Sequence, residues 1–217
     1  KDSSTPLWSY GVQAEIQAVD ISADGEYLVA TSYTKVYLFR YNSSTPVWSY
    51  TYDAQSVAIS ADGKYIFSNG GTEASFFSRD SSTPLWEDEI GGNINEVDIS
   101  ANGEYAVAAS YSSGQTGKVV LWNTASSTPL WSSSITGGSC MVAISEDGEY
   151  IVTGSCQGTT NKVYLFDKDS STALWTYSVD KNLLSVDISA DGEYAVVAVG
   201  DDKVYLFDKD SSTPLWS

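Results

Sequence analysis

A near-identical hexapeptide occurs six times in this chain and makes it a tandem repeat. It reads SSTPLW, SSTPVW or SSTALW and ends at Trp8, Trp48, Trp86, Trp131, Trp175 and Trp216. Successive tryptophans are 40, 38, 45, 44 and 41 residues apart. A period of this length restricts the chain to architectures in which one small supersecondary unit is repeated and packs against its neighbours.

Each repeat holds four short segments rich in Val, Ile, Tyr, Phe and Trp, separated by Gly, Asp, Asn, Ser and Pro. We name them a, b, c and d; their consensus forms are SVAIS, EYIVAGS, KVYLF and PLWSY. Apolar residues alternate with small or acidic ones in a, as in a β-strand, and no window has a helical period. The pattern predicts an all-β, five-bladed β-propeller of four-stranded antiparallel blades. We expect one domain over residues 1–217, with five repeats of about 38–45 residues and a duplicated terminal d strand.

Length varies at only two of the four connections. The Ile of a and the Tyr of b are six residues apart in every repeat, and the aromatic of c and the Trp of d are nine apart. The b–c intervals are instead 12, 12, 17, 16 and 13 residues, and the d–a intervals are 13, 11, 13, 13 and 13. In an antiparallel meander these two variable connections share one face of the disc, here called the loop face. Ligand binding is expected there.

The long b–c connections of the third and fourth repeats form the predicted binding site. Their polar and aromatic residues do not recur in the other repeats: Tyr111, Ser113, Gln115, Thr116, Gln157, Thr159, Thr160 and Asn161. The expected ligand is a protein or a glycan. The alternative interpretation is that these residues form solvent-exposed loops without a function.

The formal net charge of −17 argues against nucleic acid and anionic lipid as partners, because both require a basic surface. Cations or basic surfaces are the partners that such a charge favours, but the preferred interpretation is that the acidity only keeps the protein soluble. No apolar run approaches the length of a membrane span, so we expect no membrane insertion. Abundant Ser and Thr, few Lys and one glycosylation-type sequon at Asn42 favour an exported or cell-surface protein, in a prokaryote.

Two repeat families resemble this pattern. The segment VDISADGEYAVVAVGDDKVYLFD is similar to WD repeats, with Phe166-Asp167 and Phe207-Asp208 at the Trp-Asp position. KVYLFDKDSSTPLW resembles the quinoprotein-like (PQQ-like) propeller repeat. That resemblance implies that the tryptophans ending the hexapeptides have a structural role and dock between blades. It implies no single function, because propellers host unrelated activities. Five repeats are fewer than in the eight-bladed quinone-binding enzymes, so no cofactor is expected.

Three carboxylates lie on segment a, the strand nearest the axis of a propeller: Asp20, Asp98 and Asp187. One interpretation is that they hold a cation or water in the channel. The other is that each accepts hydrogen bonds from neighbouring backbone or Ser groups. The second is favoured, since a buried carboxylate persists only when it is hydrogen-bonded.

The chain contains no His, so Ser-His-Asp and Cys-His catalysis are impossible. A glycosidase with paired carboxylates stays open, although most acidic residues belong to repeated turns and are expected to be structural. We therefore predict no enzyme, but a noncatalytic binding or scaffold module. The alternative is a carbohydrate-binding lectin, as in the five-bladed tachylectin-type repeats, with Tyr33, Tyr52 and Tyr111 as stacking platforms.

Two further features concern the ends of strands. Cys140 and Cys156 lie at the start of a and the end of b in one repeat, so either a disulfide or two free thiols is possible.

Residues 1–9 and 209–217 are both KDSSTPLWS, and these two d strands compete for one place. We expect the N-terminal copy to complete the last blade of a monomer. The alternative is that the C-terminal copy completes its own blade and the displaced N-terminal strand pairs elsewhere, for example with another molecule.

The sequence also predicts that calcium does not bind. Asp20, Ser22, Asp24 and Gly25 match the opening of a calcium loop, but the twelfth position is Thr31 instead of the required Glu. We interpret the motif as a hairpin turn. Calorimetric titration with calcium should therefore show no stoichiometric site, and a chelator should leave the melting temperature unchanged. A melt that drops on chelation would contradict this interpretation.

Overall fold

The computed structural model describes residues 4–112, 116–155 and 161–217, and these residues contain strands and turns but no helix. None of their segments is therefore a helix able to cross a bilayer. The strands are β1 (Ile16–Ile21), β2 (Tyr27–Ser32), β3 (Lys35–Arg40), β4 (Trp48–Thr51), β5 (Ala54–Ile59), β6 (Tyr65–Gly70), β7 (Glu73–Ser78), β8 (Trp86–Glu89), β9 (Asn93–Ile99), β10 (Tyr105–Ser112), β11 (Thr116–Asn123), β12 (Trp131–Thr136), β13 (Ser139–Ile144), β14 (Tyr150–Ser155), β15 (Asn161–Asp167), β16 (Trp175–Val179), β17 (Leu183–Ile188), β18 (Tyr194–Val199) and β19 (Lys203–Asp208).

The strands form five antiparallel meanders, which confirms the all-β propeller with five blades. Blades 1 to 4 consist of β1–β4, β5–β8, β9–β12 and β13–β16, and blade 5 consists of β17–β19. The fourth strand of blade 5 is short: Trp216 forms a single antiparallel bridge with Leu206, and Leu215 N donates to Leu206 O at 2.7 Å. The inner strands β1, β5, β9, β13 and β17 pack against one another in that order.

The C-terminal copy of the d segment thus completes blade 5, and the expectation that the N-terminal copy would do so is wrong. The nine-residue spacing keeps the C-terminal copy beside its own c strand, so closing this hairpin costs little chain entropy. The N-terminal copy instead lies on blade 1. Trp8 packs on Phe39 with ring centroids 5.4 Å apart, and its indole N–H donates to Tyr41 O at 2.7 Å.

The repeated Ser-x-Asp-Gly sequence forms a tight a–b turn, as predicted. In blade 2, Ser60 Oγ donates to Asp62 Oδ1 at 2.9 Å, and the same carboxylate oxygen accepts from Lys64 N at 3.0 Å. Gly63 has a φ of +67°, a left-handed conformation that glycine adopts without steric cost. The Asp and Ser side chains are occupied within the turn, which explains why its length is constant.

The tyrosine that follows this turn packs on the glycine of the next blade. A Cβ built on Gly63 of blade 2 would lie 2.9 Å from the Tyr27 ring of blade 1. Tyr65 and Tyr105 approach Gly103 and Gly148 in the same way, at 2.6 and 2.7 Å, and Tyr150 approaches Gly192. Glycine is therefore required twice over, by its backbone conformation and by the ring above it.

The tryptophan of each d strand joins its blade to the next one through a hydrogen bond. Each indole N–H donates to a backbone carbonyl in the c–d turn of the following blade, at 2.7 or 2.8 Å: Trp48 to Arg79, Trp86 to Thr124, Trp131 to Lys168 and Trp175 to Lys209. These indoles are half-buried, so they are less enclosed than a fully buried docking residue would be. Trp216 is 54% exposed.

The blades form an arc with two exposed end faces. Val19 on the outer face of blade 1 is 71% exposed, whereas its counterpart Val57 in blade 2 is 7% exposed. At the other end, Val204 of blade 5 is 44% exposed, and its counterpart Val163 in blade 4 is fully buried. The apolar surface between consecutive blades is thus covered at each joint and left open at the two ends.

We predict that Trp86→Ala lowers the free energy of unfolding by about 3–5 kcal/mol, because it removes a large side chain at a blade joint. The Trp86 ring stacks on Phe76 at 5.2 Å and lies 6.0 Å from Trp122 of the next blade. Trp216→Ala is the matched control, and this exposed residue should cost less than about 1 kcal/mol. Chemical denaturation measures both. Equal losses in the two variants would contradict a role of the joint in stability.

Candidate functional site

The structure describes three of the eight predicted site residues. Tyr111 and Thr116 lie near the tip of the β10–β11 hairpin, and Asn161 begins β15. Tyr111 pairs with Gly117, and Ser112 Oγ bonds the Thr116 main chain and side chain at 3.1 Å. The other five predicted residues lie outside the described part of the chain: Ser113, Gln115, Gln157, Thr159 and Thr160.

Tyr111 and Asn161 lie at different blade boundaries. Tyr111 packs beside Gly138, in the connection between blades 3 and 4, and its Cβ is 3.0 Å from a Cβ built on that glycine. Asn161 instead lines a pocket at the boundary of blades 4 and 5. The described residues of the predicted site therefore do not form one cluster, but border blade 4 on its two sides.

The pocket at the boundary of blades 4 and 5 is polar and has a volume of about 430 Å³. It is lined by Asn161, Asp180, Lys181, Asn182 and Gly200, and we call it the amide pocket. Asn182 O accepts from Gly200 N at 2.9 Å, which joins the d–a connection to the b–c turn of blade 5. The residues of this lining thus include a carboxylate, an ammonium and two amides.

Asn161 is the most distinctive residue of the amide pocket. Its side chain is 6% exposed, and among the described residues its Oδ1 is buried without a hydrogen-bond donor. A buried carbonyl oxygen without a donor costs about 1–3 kcal/mol. This oxygen has almost no accessible surface, so a ligand N–H or O–H reaches it only when the Asn161 side chain turns toward the pocket, and the hydrogen bond formed there would relieve that cost.

Sequence reasoning missed the residues contributed by the d–a connection, Asp180, Lys181 and Asn182. It concentrated on the b–c connections because they vary most in length. One signal was present, because Lys181 is the single lysine in any of the d–a segments between the Trp of d and the Ile of a. The lysine therefore marks this connection as different from its four counterparts.

A second cavity, of about 440 Å³, lies at the axis between the inner strands of all five blades. Asp98, Glu146 and Asp187 contribute carboxylates to its lining. Asp98 Oδ1 accepts from Ile99 N at 2.8 Å and Oδ2 from Ile144 N of blade 4 at 2.9 Å. Asp20 accepts in the same way from Ile21 N and from Ile59 N of blade 2, both at 2.8 Å. The backbone interpretation of these aspartates is confirmed for Asp20 and Asp98.

Burial shifts the protonation of the axial carboxylates. Removal from water raises the pKa of Asp98 to about 7, against the two backbone hydrogen bonds that favour its charged form. The charges of Asp20 and Glu96 raise this pKa further. Burial likewise raises the pKa of Glu96, whose Oε2 accepts from Val142 N at 2.8 Å. These carboxylates are engaged with the main chain, and among the described residues no group of three metal-ligating side chains converges.

The three tyrosines considered as glycan platforms differ in accessibility. Tyr33 is 48% exposed, and Tyr111 is half-buried. Tyr52 packs its ring on Gly70, and burial raises the pKa of its enclosed hydroxyl. No aromatic residue lines the amide pocket as the structure describes it. Tyr33 alone therefore presents an open ring face of the kind that sugars stack on.

The cysteine pair is described in part. Cys140 lies on β13, where it is half-buried and packs at the edge of the core between blades 4 and 5. Cys140 is disulfide-bonded, so the alternative of two free thiols is wrong, and its predicted partner Cys156 lies outside the described residues.

We predict that stability falls as pH rises from about 4 to 7. The pKa of Asp98 is raised above its ordinary value of 3.8, so its stabilising contribution is complete below that pH and is lost as pH rises through about 7. The full loss is on the order of 4 kcal/mol. Asp98→Asn should flatten the dependence of the melting temperature on pH. Asp187→Asn is the control, since Asp187 is exposed, and a flattening of equal size in that variant would contradict the assignment.

Comparisons with known proteins agree with this fold. Residues 115–217, somewhat less than half of the chain, match the family described as outer membrane protein assembly factor BamB. No curated protein matches the sequence. Among solved structures, Kuenenia stuttgartiensis hydrazine synthase superposes with a TM-score of 0.72 at 19% identity, over 86% of this chain and 56% of that chain.

This chain thus spans little more than half of that neighbour, and at this identity the likeness concerns the fold. In all, 1445 solved chains match. Because a fold this widespread hosts unrelated functions, the fold alone does not indicate an activity. The predicted PQQ-like resemblance is supported by the family match. The chain is a β-propeller whose C-terminal repeats are similar to the PQQ-like repeats of the BamB family.

Proposed function

We propose that this propeller is a noncatalytic binding or scaffold module that holds a polar segment of another protein in the amide pocket. The single observation that carries the proposal is the buried Oδ1 of Asn161, which has no donor within the described structure. A polypeptide main chain offers N–H donors for such an oxygen and carbonyl acceptors for the amide of Asn182.

The charges around the pocket define the ligand further. The protein is strongly acidic overall, whereas Lys181 places a cation at the pocket rim beside Asp180. A ligand segment with both an acidic and a basic or amide side chain would match this pair. The surrounding negative field favours partners with a basic surface and increases their rate of association at low salt.

The proposal includes no catalytic step. Its support is that the axial carboxylates best placed for chemistry, Asp98 and Asp20, each accept two backbone hydrogen bonds. The carboxylates of the a–b turns are likewise occupied by Ser and main-chain donors. Residues engaged in this way serve the architecture, and the loop face is left for binding.

We also propose an exported or cell-surface location. The composition supports it, with many Ser and Thr residues, few lysines and a sequon at Asn42. The description of the family that matches residues 115–217, outer membrane protein assembly factor, is consistent with such a location.

A glycan is the alternative ligand. The polar lining of the amide pocket and the exposed ring of Tyr33 favour it, because sugars are bound by hydrogen bonds and by stacking. The two features lie on different blades, however, and the protein ligand is preferred because the pocket contains amides without an aromatic platform.

Binding of the labelled full chain to peptide and glycan arrays should separate the two ligands. We expect selective binding to a subset of peptides, reduced at least tenfold in Asn182→Ala and in Lys181→Ala because both residues line the pocket. A tenfold change corresponds to about 1.4 kcal/mol, the value of one good polar contact.

Lys35→Ala is the matched control, since this lysine begins a c strand on the same face of blade 1. It should bind like the original chain. Binding to glycans alone, lost in Tyr33→Ala, would replace the protein ligand by a sugar. Peptide binding that is unchanged in both pocket variants would refute the amide pocket as the site.

A further inference from the structure

The outer face of blade 5 repeats the chemistry of an internal blade joint. At each of the four joints, a tyrosine covers the glycine of the next blade and a tryptophan donates to its c–d turn. Blade 5 has both groups, but Tyr194 is 47% exposed and Trp216 is 54% exposed. Within the described residues, the indole N–H of Trp216 has no acceptor.

The backbone also continues this pattern. Main-chain hydrogen bonds between consecutive a–b turns run from blade 1 to blade 5: Ala23 N to Ala61 O, Ala61 N to Ala101 O, Ala101 N to Glu146 O and Asp147 N to Ala190 O. The apolar face behind these turns has the same character. Val204 and Leu184 of blade 5 are 44% and 65% exposed. The surface is therefore that of a joint without its second blade.

The inner strands add a feature that alternates along the array. Asp20 of blade 1 and Asp98 of blade 3 each bond the Ile N–H of their own blade and the Ile N–H of the next. Blades 2 and 4 have Ala58 and Ala143 at the same position, and their Ile N–H donates to the Asp of the preceding blade. Each aspartate-type blade is thus paired with an alanine-type blade that follows it.

Blade 5 is of the aspartate type, and its pair is incomplete. Asp187 Oδ1 accepts from Ile188 N at 2.8 Å, as the first oxygen of Asp20 and Asp98 does. In the described structure its second oxygen has no donor, although in blades 1 and 3 that oxygen reaches the next blade. The carboxylate is exposed at the edge of the axial cavity.

We propose that the outer face of blade 5 is a docking surface for a further blade of this repeat type, and specifically for an alanine-type blade. Asp187 accepts the Ile N–H of that blade, Tyr194 covers its turn glycine, and Trp216 donates to its c–d turn. The docking blade has a small residue at the position equivalent to Asp187. Its own Ile N–H is therefore free to donate to Asp187.

Blade 1 of a second copy fits this surface less well. Its Ile21 N–H already donates to Asp20 of the same blade at 2.8 Å, so Asp187 would meet an occupied donor and a second carboxylate. Trp8 also covers Phe39 of that blade, with ring centroids 5.4 Å apart. The Trp8 indole N–H already donates to Tyr41 O. The N-terminal segment thus occupies the place that Trp216 would need.

The test extends the full chain by a copy of residues 50–86, an alanine-type blade, directly after Ser217. Oxidative footprinting then reports the reactivity of the Trp216 and Tyr194 side chains. We expect protection of both by at least threefold relative to the original chain, because their counterparts Trp48 and Tyr27 are half-buried at a joint.

A substitution cycle tests Asp187 itself. Asp187→Ala should lower the melting temperature of the extended chain by roughly 5 °C, the effect of losing one charge-assisted hydrogen bond. In the original chain the same substitution should change it by less than about 1 °C. The matched extension carries Ala58→Asp in the appended copy, and we expect it to remove most of the protection.

Each outcome decides the proposal. Trp216 that stays as reactive in the extended chain as in the original one would overturn it, whether or not the appended segment folds. Equal protection by the Ala58→Asp extension would overturn the alanine preference. Sedimentation of the original chain as a dimer, with Trp216 protected only at high concentration, would assign the surface to a second copy instead.

Discussion

The contact on which the structure depends is the one that each blade makes with the next. A four-stranded sheet of this size has two largely apolar faces, and neither can be buried within the blade itself. Tyr and Trp side chains solve this by reaching across to the turn glycine and the c–d carbonyl of the following blade. Stability is then a sum over neighbouring pairs, as in other repeat proteins. It also follows that the ends of the array are the places where apolar surface stays in water.

This dependence explains which parts of the fold could be predicted from the sequence. Strands, turns and the blade count follow from segment spacing, because the Ser-x-Asp-Gly turn and the nine-residue c–d hairpin are local structures with fixed geometry. The blade on which each of the two KDSSTPLWS copies packs does not follow from spacing. Trp8 and Trp216 are identical in sequence context, and only their neighbours in space decide that one docks on Phe39 and the other pairs with Leu206.

The candidate site, like the fold, could be predicted from the sequence only in part. The variable loop lengths pointed to blade 4, and Asn161, one of the residues they indicated, lines a pocket there. The pocket itself is formed by three connections, each about twenty residues from the next in sequence, so it could not be read from any one of them alone. The lack of a donor for Asn161 Oδ1 is a property of packing, and no sequence pattern contains it.

The axial aspartates connect local hydrogen bonding to the number of blades. Their alternation with alanine means that joining blade 5 to blade 1 would bring Asp187 next to Asp20, whose own Ile21 N–H is already bonded. Like charges near the axis already raise the pKa of Asp98, so a further carboxylate at close range would cost more. An array with this alternation closes without conflict only when the number of blades is even. Among the five blades that the structure describes, Asp187 is the axial aspartate whose second oxygen has no donor, and it lies on the same blade as the exposed Tyr194 and Trp216.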